Sequence, residues 1–191
     1  FLVDTYSMPK AAVQGMINQG IKTFFFVTVD YAFGTAFQTE ATKFIEAAGG
    51  KVVGSVKHPL GATDFSSYLM QAQASKAQAI VILNAGLDQT NALKQAAEYR
   101  IARNGQAVSV FGLTINAVHA MGLEVAQGLQ LTDPMYWDRN AETRAWSKRF
   151  MDRNNGVAPT YLMASAYSAT THYLKAVQAA GTDDGTAVMA K

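Results

Sequence analysis

The amino-acid sequence predicts an α/β fold built on a doubly wound parallel sheet. Three successive strand–helix–strand units follow one another in the first part of the chain, an order typical of parallel strands joined by right-handed crossovers. The segment IKTFFFVTV (21–29) is apolar almost without interruption, as expected for a strand buried on both faces. Glycines follow the helix-like segments, as at Gly20 and Gly49. These features favour a central sheet with helices on both sides.

The strands are recognised by apolar, β-favouring runs that end at polar or turn-forming residues. The first run leads into Asp30, the second, KVVGSVKH, is closed by Pro59, and the third, AQAIVILNAG, ends in small residues. AVSVFGL and GLQLTD supply the fourth and fifth. We expect strands near 22–29, 51–57, 78–84, 107–112 and 128–132.

The segments between the strands have apolar residues at helical spacing. In GTAFQTEATKFIEAAGG, for example, Phe37, Ala41, Phe44 and Ile45 lie on one stripe. Thr63 and Asp64 are capping candidates at the start of the next helix. We expect helices over 9–20, 34–50, 63–75, 87–100 and 116–121.

The composition changes after about residue 138. The segments 140–156, 159–181 and 184–191 all have helical patterns, and no strand pattern separates them. We therefore divide the sequence into a sheet-containing lobe over 1–138 and a helical segment over 139–191 that needs another surface to pack on.

Composition excludes several classes of function. The chain has 191 residues, is 49% hydrophobic and 16% charged, and carries a net charge of +2, so neither disorder nor nucleic-acid binding is indicated. Without cysteine, a disulfide, a Cys-zinc site and thiol chemistry are all impossible. The three histidines lack ligand spacing, no phosphate-binding glycine motif is present, and no nucleophile–base pattern appears, so we predict no metal, no cofactor and no catalysis.

The candidate binding residues follow the predicted strands, because ligands of open parallel sheets bind beyond the carboxyl ends of the strands. They mix aromatic rings, small residues and uncharged polar groups, which suits a small organic ligand better than catalysis. They are Tyr31 and Phe33 after the first strand, Asn84, Ala85 and Gly86 after the third, and Thr114 and Asn116 after the fourth. Asp133, Met135, Tyr136 and Trp137 follow the fifth.

Several residues near the ends of strands and the starts of helices also have local structural interpretations. Asp30 is expected to cap the helix that follows it, since an acid there would accept from free N–H groups and meet the positive end of the helix dipole. Thr114 and Asn116 could cap the short helix after the fourth strand, and Gly34 could permit a tight turn. Ser7 matches a Ser-x-x-Lys pattern by chance and is better interpreted as a helix start.

Three segments resemble the periplasmic solute-binding proteins of branched-chain amino-acid type ABC transporters, which have the type I periplasmic-binding fold. The first has DYAFG after an apolar strand and a helix ending in AAGGKVVG. The second is TDFSSYLMQAQASKAQAIVILNAG, and the third is PTYLMASAYSATTHYLKAVQAAG, which is similar to the P-x-Y-x-x-x-x-Y-x-A helix of that family. The resemblance covers essentially the whole chain and implies the strand order 2-1-3-4-5.

The resemblance also implies the role of this chain. Family members have two lobes that clamp a ligand, and 1–138 would be the second ligand-binding lobe, with 139–191 returning toward the first. Tyr31 matches a ligand-facing tyrosine, and Ala85 and Gly86 match a loop that lines the cleft. Thr114 falls where amino-acid binders place an acid for the ligand's ammonium, so an amine-free carboxylic acid, with aromatic acids as one candidate class, is favoured over branched-chain amino acids.

Partners and location follow from the same resemblance. We expect a periplasmic receptor that meets membrane permease subunits, and the lack of a signal-peptide pattern at the N-terminus fits a fragment. A dimer of the fragment through helix 159–180 is a further expectation, because the first lobe would be missing. A sensor domain of the same fold and, less favoured, an α/β enzyme are the alternatives.

Overall fold

The computed structural model describes residues 4–191 and contains one sheet of five parallel strands within that range. The strands lie in the order β2-β1-β3-β4-β5, so the predicted order and direction are confirmed. Their bounds are β1 Thr23–Val29, β2 Lys51–His58, β3 Ala79–Leu83, β4 Ala107–Phe111 and β5 Leu129–Thr132.

The helices lie close to their predicted places. Those of the sheet region are α1 Ser7–Asn18, α2 Ala32–Ala47, α3 Ser66–Ala74, α4 Gly86–Glu98, α5 Ile115–Met121 and α6 Leu123–Ala126, and those that follow are α7 Ala141–Met151, α8 Tyr161–Ala180 and α9 Gly185–Met189. The short helix α6 and a 3₁₀ turn over Ala102–Asn104 were not predicted.

Two apolar cores lie on the two faces of the sheet. Along β1, Phe24 and Phe26 join a core with α1 and α2, whereas Phe25 and Val27 join the opposite core with α3, α4 and α5. This alternation follows from the two-residue period of a strand. All residues from Phe24 to Val29 are buried, which explains the uninterrupted apolar run.

Gly34 marks a close approach between α2 and β1. A Cβ atom added at Gly34 would lie 2.2 Å from the carbonyl oxygen of Val29 and 2.9 Å from Cγ2 of Thr28. The backbone of Gly34 does not require a positive φ. The glycine therefore serves packing of the helix on its strand, and not the tight turn that the sequence suggested.

The carboxylates of Asp4 and Asp64 make hydrogen bonds to the first residues of α1 and α3, although neither is the N-cap residue. Asp4 accepts from the hydroxyl of Ser7 and from the backbone N–H groups of Ser7 and Tyr6, and these bonds hold the pKa of Asp4 below its ordinary value. Asp64 accepts from the hydroxyl of Ser66 at 2.6 Å and from its N–H at 2.9 Å, which likewise lowers the pKa of Asp64. Asp64, and not Thr63, makes the local bond at the start of α3.

The chain separates into two compact units, one ending at Asp133 and the other beginning at Pro134. The change of composition placed this boundary near residue 138. The second unit consists of α7, α8 and α9, and Asn140 and Thr143 form a reciprocal capping box at the start of α7. None of the helices among residues 4–191 is long and apolar enough to span a membrane.

Candidate functional site

The carboxyl ends of the five strands form one edge of the sheet, because all strands are parallel. Tyr31 and Phe33 follow β1, the run Asn84–Gly86 follows β3, and Thr114 follows β4. The topology therefore brings the predicted binding residues of the first unit to the same edge. Asp133 ends that unit, while Met135, Tyr136 and Trp137 belong to the second unit.

Four aromatic rings run from the surface of this edge into the core. Tyr31 is 40% exposed and stacks on Phe33, with 5.8 Å between ring centroids. Phe33 contacts Phe37 at 4.6 Å, and Phe37 contacts Phe111, the last residue of β4, at 5.4 Å. The exposed ring of Tyr31 is thus supported from below, and it is available for contact with a planar ligand.

Asp30 does not cap α2, contrary to the expectation from sequence. The N-cap residue is Tyr31, and no side-chain bond caps this helix. Instead, Oδ1 of Asp30 lies 2.8 Å from Nζ of Lys57, in an exposed ion pair between the ends of β1 and β2. The pairing of Thr28 with Lys57 in the sheet register brings the two side chains together.

Asn84 is buried, and its side chain contacts a buried histidine. Oδ1 of Asn84 lies 2.7 Å from Nε2 of His58, the last residue of β2, and Nδ1 of His58 lies 2.9 Å from the carbonyl oxygen of Pro59. Nδ2 of Asn84 has no hydrogen-bond partner among the described residues. Ala85 and Gly86, the next two residues, are exposed.

Two more buried polar side chains lie in the first turn of α4. Asp88 is only 7% exposed, and its Oδ2 accepts from the N–H of Gly61 at 2.9 Å. Gln89 donates through Nε2 to the carbonyl oxygens of Phe111, at 3.0 Å, and Asn84, at 3.3 Å. No sequence pattern assigned a site role to these two residues or to His58.

Thr114 is the N-cap residue of α5, as its alternative interpretation proposed. Its hydroxyl oxygen accepts from the N–H of Ala117 at 3.2 Å. Asn116 is the second residue of the same helix and is half-buried. Thr114 brings no charge to this edge of the sheet.

Two surface cavities are lined by residues other than the predicted binding residues that follow β1, β3 and β4. One, of about 460 Å³, lies near the starts of β4 and β5 and is lined by charges of both signs, among which Arg103 and Glu124 approach to 3.6 Å. The other, of about 430 Å³, lies between α7 and α8 beside Trp146 and Tyr167. Within residues 4–191, no three His, Asp or Glu side chains cluster so that they could hold a metal ion.

The sequence profile of the periplasmic binding protein family matches residues 1–191 of this chain. Among solved structures, a periplasmic binding protein from Burkholderia mallei is 47% identical with a TM-score of 0.88, over 98% of this chain and 49% of that chain. A branched chain amino acid ABC transporter periplasmic ligand-binding protein from Burkholderia xenovorans LB400 is 39% identical with a TM-score of 0.87, over 100% of this chain and 50% of that chain.

A more distant structure shares the fold alone. The solute-binding protein of an ABC transporter from R. palustris, solved in complex with benzoate, is 22% identical with a TM-score of 0.83, over 96% of this chain and 50% of that chain. The present chain therefore spans about half the length of the solved proteins that it matches. No curated protein matches it.

Proposed function

Because this chain belongs to the periplasmic binding protein family, we propose that it supplies one ligand-binding lobe of an extracytoplasmic receptor for an ABC importer. The lobe binds a small organic solute and performs no catalysis. A second lobe closes over the solute by hinge motion, and the closed receptor delivers it to membrane permease subunits. The predicted dimer through helix 159–180 is not part of this proposal, because neither the structure nor the similar proteins support it.

The carboxyl edge of the sheet is the observation that carries this proposal. It joins an exposed ring, Tyr31, to small exposed residues, Ala85 and Gly86, and to the uncharged hydroxyl of Thr114. A ring for stacking, a backbone that a ligand can approach and a few polar atoms are typical of small-molecule sites. We include Phe33, Asn84 and Asn116 in the site, as a support, a polar group and a rim residue respectively.

We propose that the solute is an amine-free carboxylic acid, with aromatic acids as the favoured class. An ammonium group that leaves water needs a paired anion, and leaving it unpaired costs several kcal/mol. At this edge Thr114 is uncharged, Asp30 is paired with Lys57, and Asp88 is buried against Gly61, so that Asp133, directly after β5, is the remaining carboxylate. The benzoate bound to the R. palustris protein shows that this fold can hold an acid of the proposed class.

Asp88 is the carboxylate that would pair with the ammonium group if the solute were a branched-chain amino acid. Its carboxylate accepts one N–H bond, and a movement of the Gly61 loop would expose it to an ammonium group. The Burkholderia xenovorans protein, 39% identical to this chain, is described as belonging to a branched chain amino acid transporter. Leucine is therefore the ligand to compare with benzoate.

Calorimetry on the full-length protein that carries this sequence separates the two classes. We expect benzoate to bind with a measurable heat and leucine to bind much more weakly or not at all. Micromolar affinity for leucine without any response to benzoate would refute the aromatic-acid proposal. In that case Asp88→Asn should abolish leucine binding, which would identify Asp88 as the partner of the ammonium group.

A tyrosine pair tests whether the edge itself binds the solute. Tyr31→Ala should weaken binding of the acid by ~1–2 kcal/mol if the ring stacks on the ligand. Tyr99→Ala is the matched control, because Tyr99 is 39% exposed, against 40% for Tyr31, but follows the last residue of α4 at the other end of that helix. Equal affinities for both variants and the wild type would remove Tyr31 from the site.

The helical segment has its own place in this proposal. α8 exposes large apolar side chains along its length, including Leu162 at 59%, Tyr173 at 51% and Leu174 at 58%. Exposed apolar surface of this kind marks an interaction site. We propose that 139–191 packs on the first lobe in the full-length protein, so that 1–138 acts as the second lobe of the receptor.

A further inference from the structure

His58 and Asn84 form a buried polar pair that joins the ends of β2 and β3. His58 is 1% exposed and Asn84 is 3% exposed. The imidazole contacts the rings of Phe65, at 4.8 Å between centroids, and Tyr68, at 5.8 Å. Both ring nitrogens make hydrogen bonds, yet one end of the Asn84 amide has no partner in the part of the chain that the structure describes.

The hydrogen atoms of this pair follow from its partners. The carbonyl oxygen of Pro59 can only accept, so Nδ1 of His58 must carry a hydrogen. A neutral imidazole has one N–H, which leaves Nε2 as an acceptor that needs a donor 2.7 Å away. The amide of Asn84 supplies that donor only if its NH₂ group faces His58 and its carbonyl oxygen faces the opposite way.

A charged imidazole would instead donate from both nitrogens, with Oδ1 of Asn84 facing it. It would then be a buried cation whose direct partners are neutral, which is costly. Among the described residues no carboxylate forms an ion pair with His58, since Asp30 is paired with Lys57 and Asp88 accepts from Gly61. The neutral ring is therefore favoured, and a half-turn of the Asn84 amide about χ2 exchanges its two ends within the same space.

We propose that neutral His58 orients the Asn84 amide so that its carbonyl oxygen is the buried group without a hydrogen-bond partner among the described residues at the end of β3. A solute that carries a hydroxyl or N–H donor satisfies this acceptor when the exposed residues beside it, Ala85 and Gly86, move aside, and Asn84 thereby selects such solutes. The small residues Ala85 and Gly86 follow it directly, and a Cβ added at Gly86 would meet nothing within 4 Å. This selectivity of Asn84 rests on the proposed function. Among aromatic acids it favours those with a hydroxyl group on the ring.

The orientation of the Asn84 amide toward His58 can be measured without any ligand, by ¹⁵N NMR of this 191-residue chain at neutral pH. We expect His58 to be neutral with its hydrogen on Nδ1 and with a hydrogen bond from the Asn84 NH₂ group to Nε2. His119 and His172 are exposed and serve as internal references. A hydrogen on Nε2 alone, or a doubly protonated ring at neutral pH, would overturn the proposal.

The selectivity is measured by calorimetry with 4-hydroxybenzoate and benzoate on the full-length protein. We expect 4-hydroxybenzoate to bind about fivefold more tightly, the contribution of one neutral hydrogen bond. Asn84→Leu should abolish that preference, whereas Asn104→Leu, in the exposed 3₁₀ turn, should retain it. Equal affinities in the wild type would refute the selective role of Asn84. Binding of neither acid would refute the aromatic-acid function, while the NMR spectrum alone decides the orientation.

Discussion

The helices α2 and α8 have similar amphipathic sequences, but the apolar side chains of α2 are buried and those of α8 are exposed. In α2 the apolar stripe is buried, with Phe37 at 1% and Ile45 at 0% exposure. In α8, of 20 residues, only Ala164 is buried, and Leu174 remains 58% exposed. Apolar spacing therefore predicts that a helix forms, but it does not tell whether the surface that covers the helix lies in the same chain.

We expect the largest difference in the free energy of unfolding when one large side chain in each region is replaced by alanine. Phe26→Ala should lower the free energy of unfolding by ~3–5 kcal/mol, because the side chain is fully buried in the core beside α2. Leu174→Ala should change it by no more than ~0.5 kcal/mol. Urea denaturation of the 191-residue chain measures both. A comparable loss for Leu174→Ala would show that α8 is covered in this chain.

A glycine pair tests the close packing of α2 on β1. Gly34→Ala should cost ~1–3 kcal/mol or more, since the new methyl group would meet the Val29 carbonyl oxygen and one of the two must move. Gly15→Ala in α1 is the matched control, because nothing lies within 4 Å of the added Cβ. That change should be neutral or stabilising by up to ~1 kcal/mol. Thermal unfolding measures both variants. Equal changes in their midpoint temperatures would contradict this prediction.

The hydrogen bond that caps α5 should contribute less to the free energy of unfolding than the packing of Phe26 or Gly34. Thr114→Ala removes the acceptor for the N–H of Ala117 and should cost ~1 kcal/mol. Thr39→Ala is the control, because its hydroxyl only donates back to the carbonyl oxygen of Thr35 within α2. We expect little change for Thr39→Ala in denaturant unfolding. If the two changes are equal, the Thr114 bond does not stabilise the helix.

The smallest effect concerns the pH dependence of the exposed Asp64 carboxylate at the start of α3. Hydrogen bonds from Ser66 lower the pKa of Asp64 from its ordinary 3.8 in the folded state. These bonds therefore stabilise the fold above that value, and the stabilisation is lost as the pH falls through the lower folded pKa. Ser66→Ala removes the strongest of these bonds, so NMR titration should show the pKa of Asp64 rising toward 3.8. An unchanged titration would mean that Ser66 does not hold the carboxylate.

Local patterns were enough to predict the sheet. The uninterrupted apolar run of β1 and the small or turn-forming residues after β2 and β3 identify the strands, and the resemblance to a known family supplies their order. Hydropathy alone does not predict burial at the start of α4, where Leu87 is 78% exposed while Asp88 is buried and accepts from the N–H of Gly61.

The polar contacts of the candidate site could not be found from local sequence. The bond between His58 and Asn84 joins residues 26 positions apart, from two strands that flank β1, and the Asp30–Lys57 pair depends on sheet register. Asp30 precedes a helix, so a local interpretation makes it a cap, but the neighbouring strand offers it a cation. Such long-range partners become visible only when strand order and register are combined.

The side-chain bonds at the carboxyl edge also bear on how quickly and how strongly a solute could be captured. His58 ties β2 to β3, Asp88 ties α4 to the loop after β2, and Gln89 ties α4 to the end of β4. These bonds link the ends of β2, β3 and β4 to one another and to α4. Association with an ordered surface loses little conformational entropy and needs no slow rearrangement of that surface. If this edge binds a solute as proposed, the speed of capture would be limited by the movement of the lobes and not by this edge.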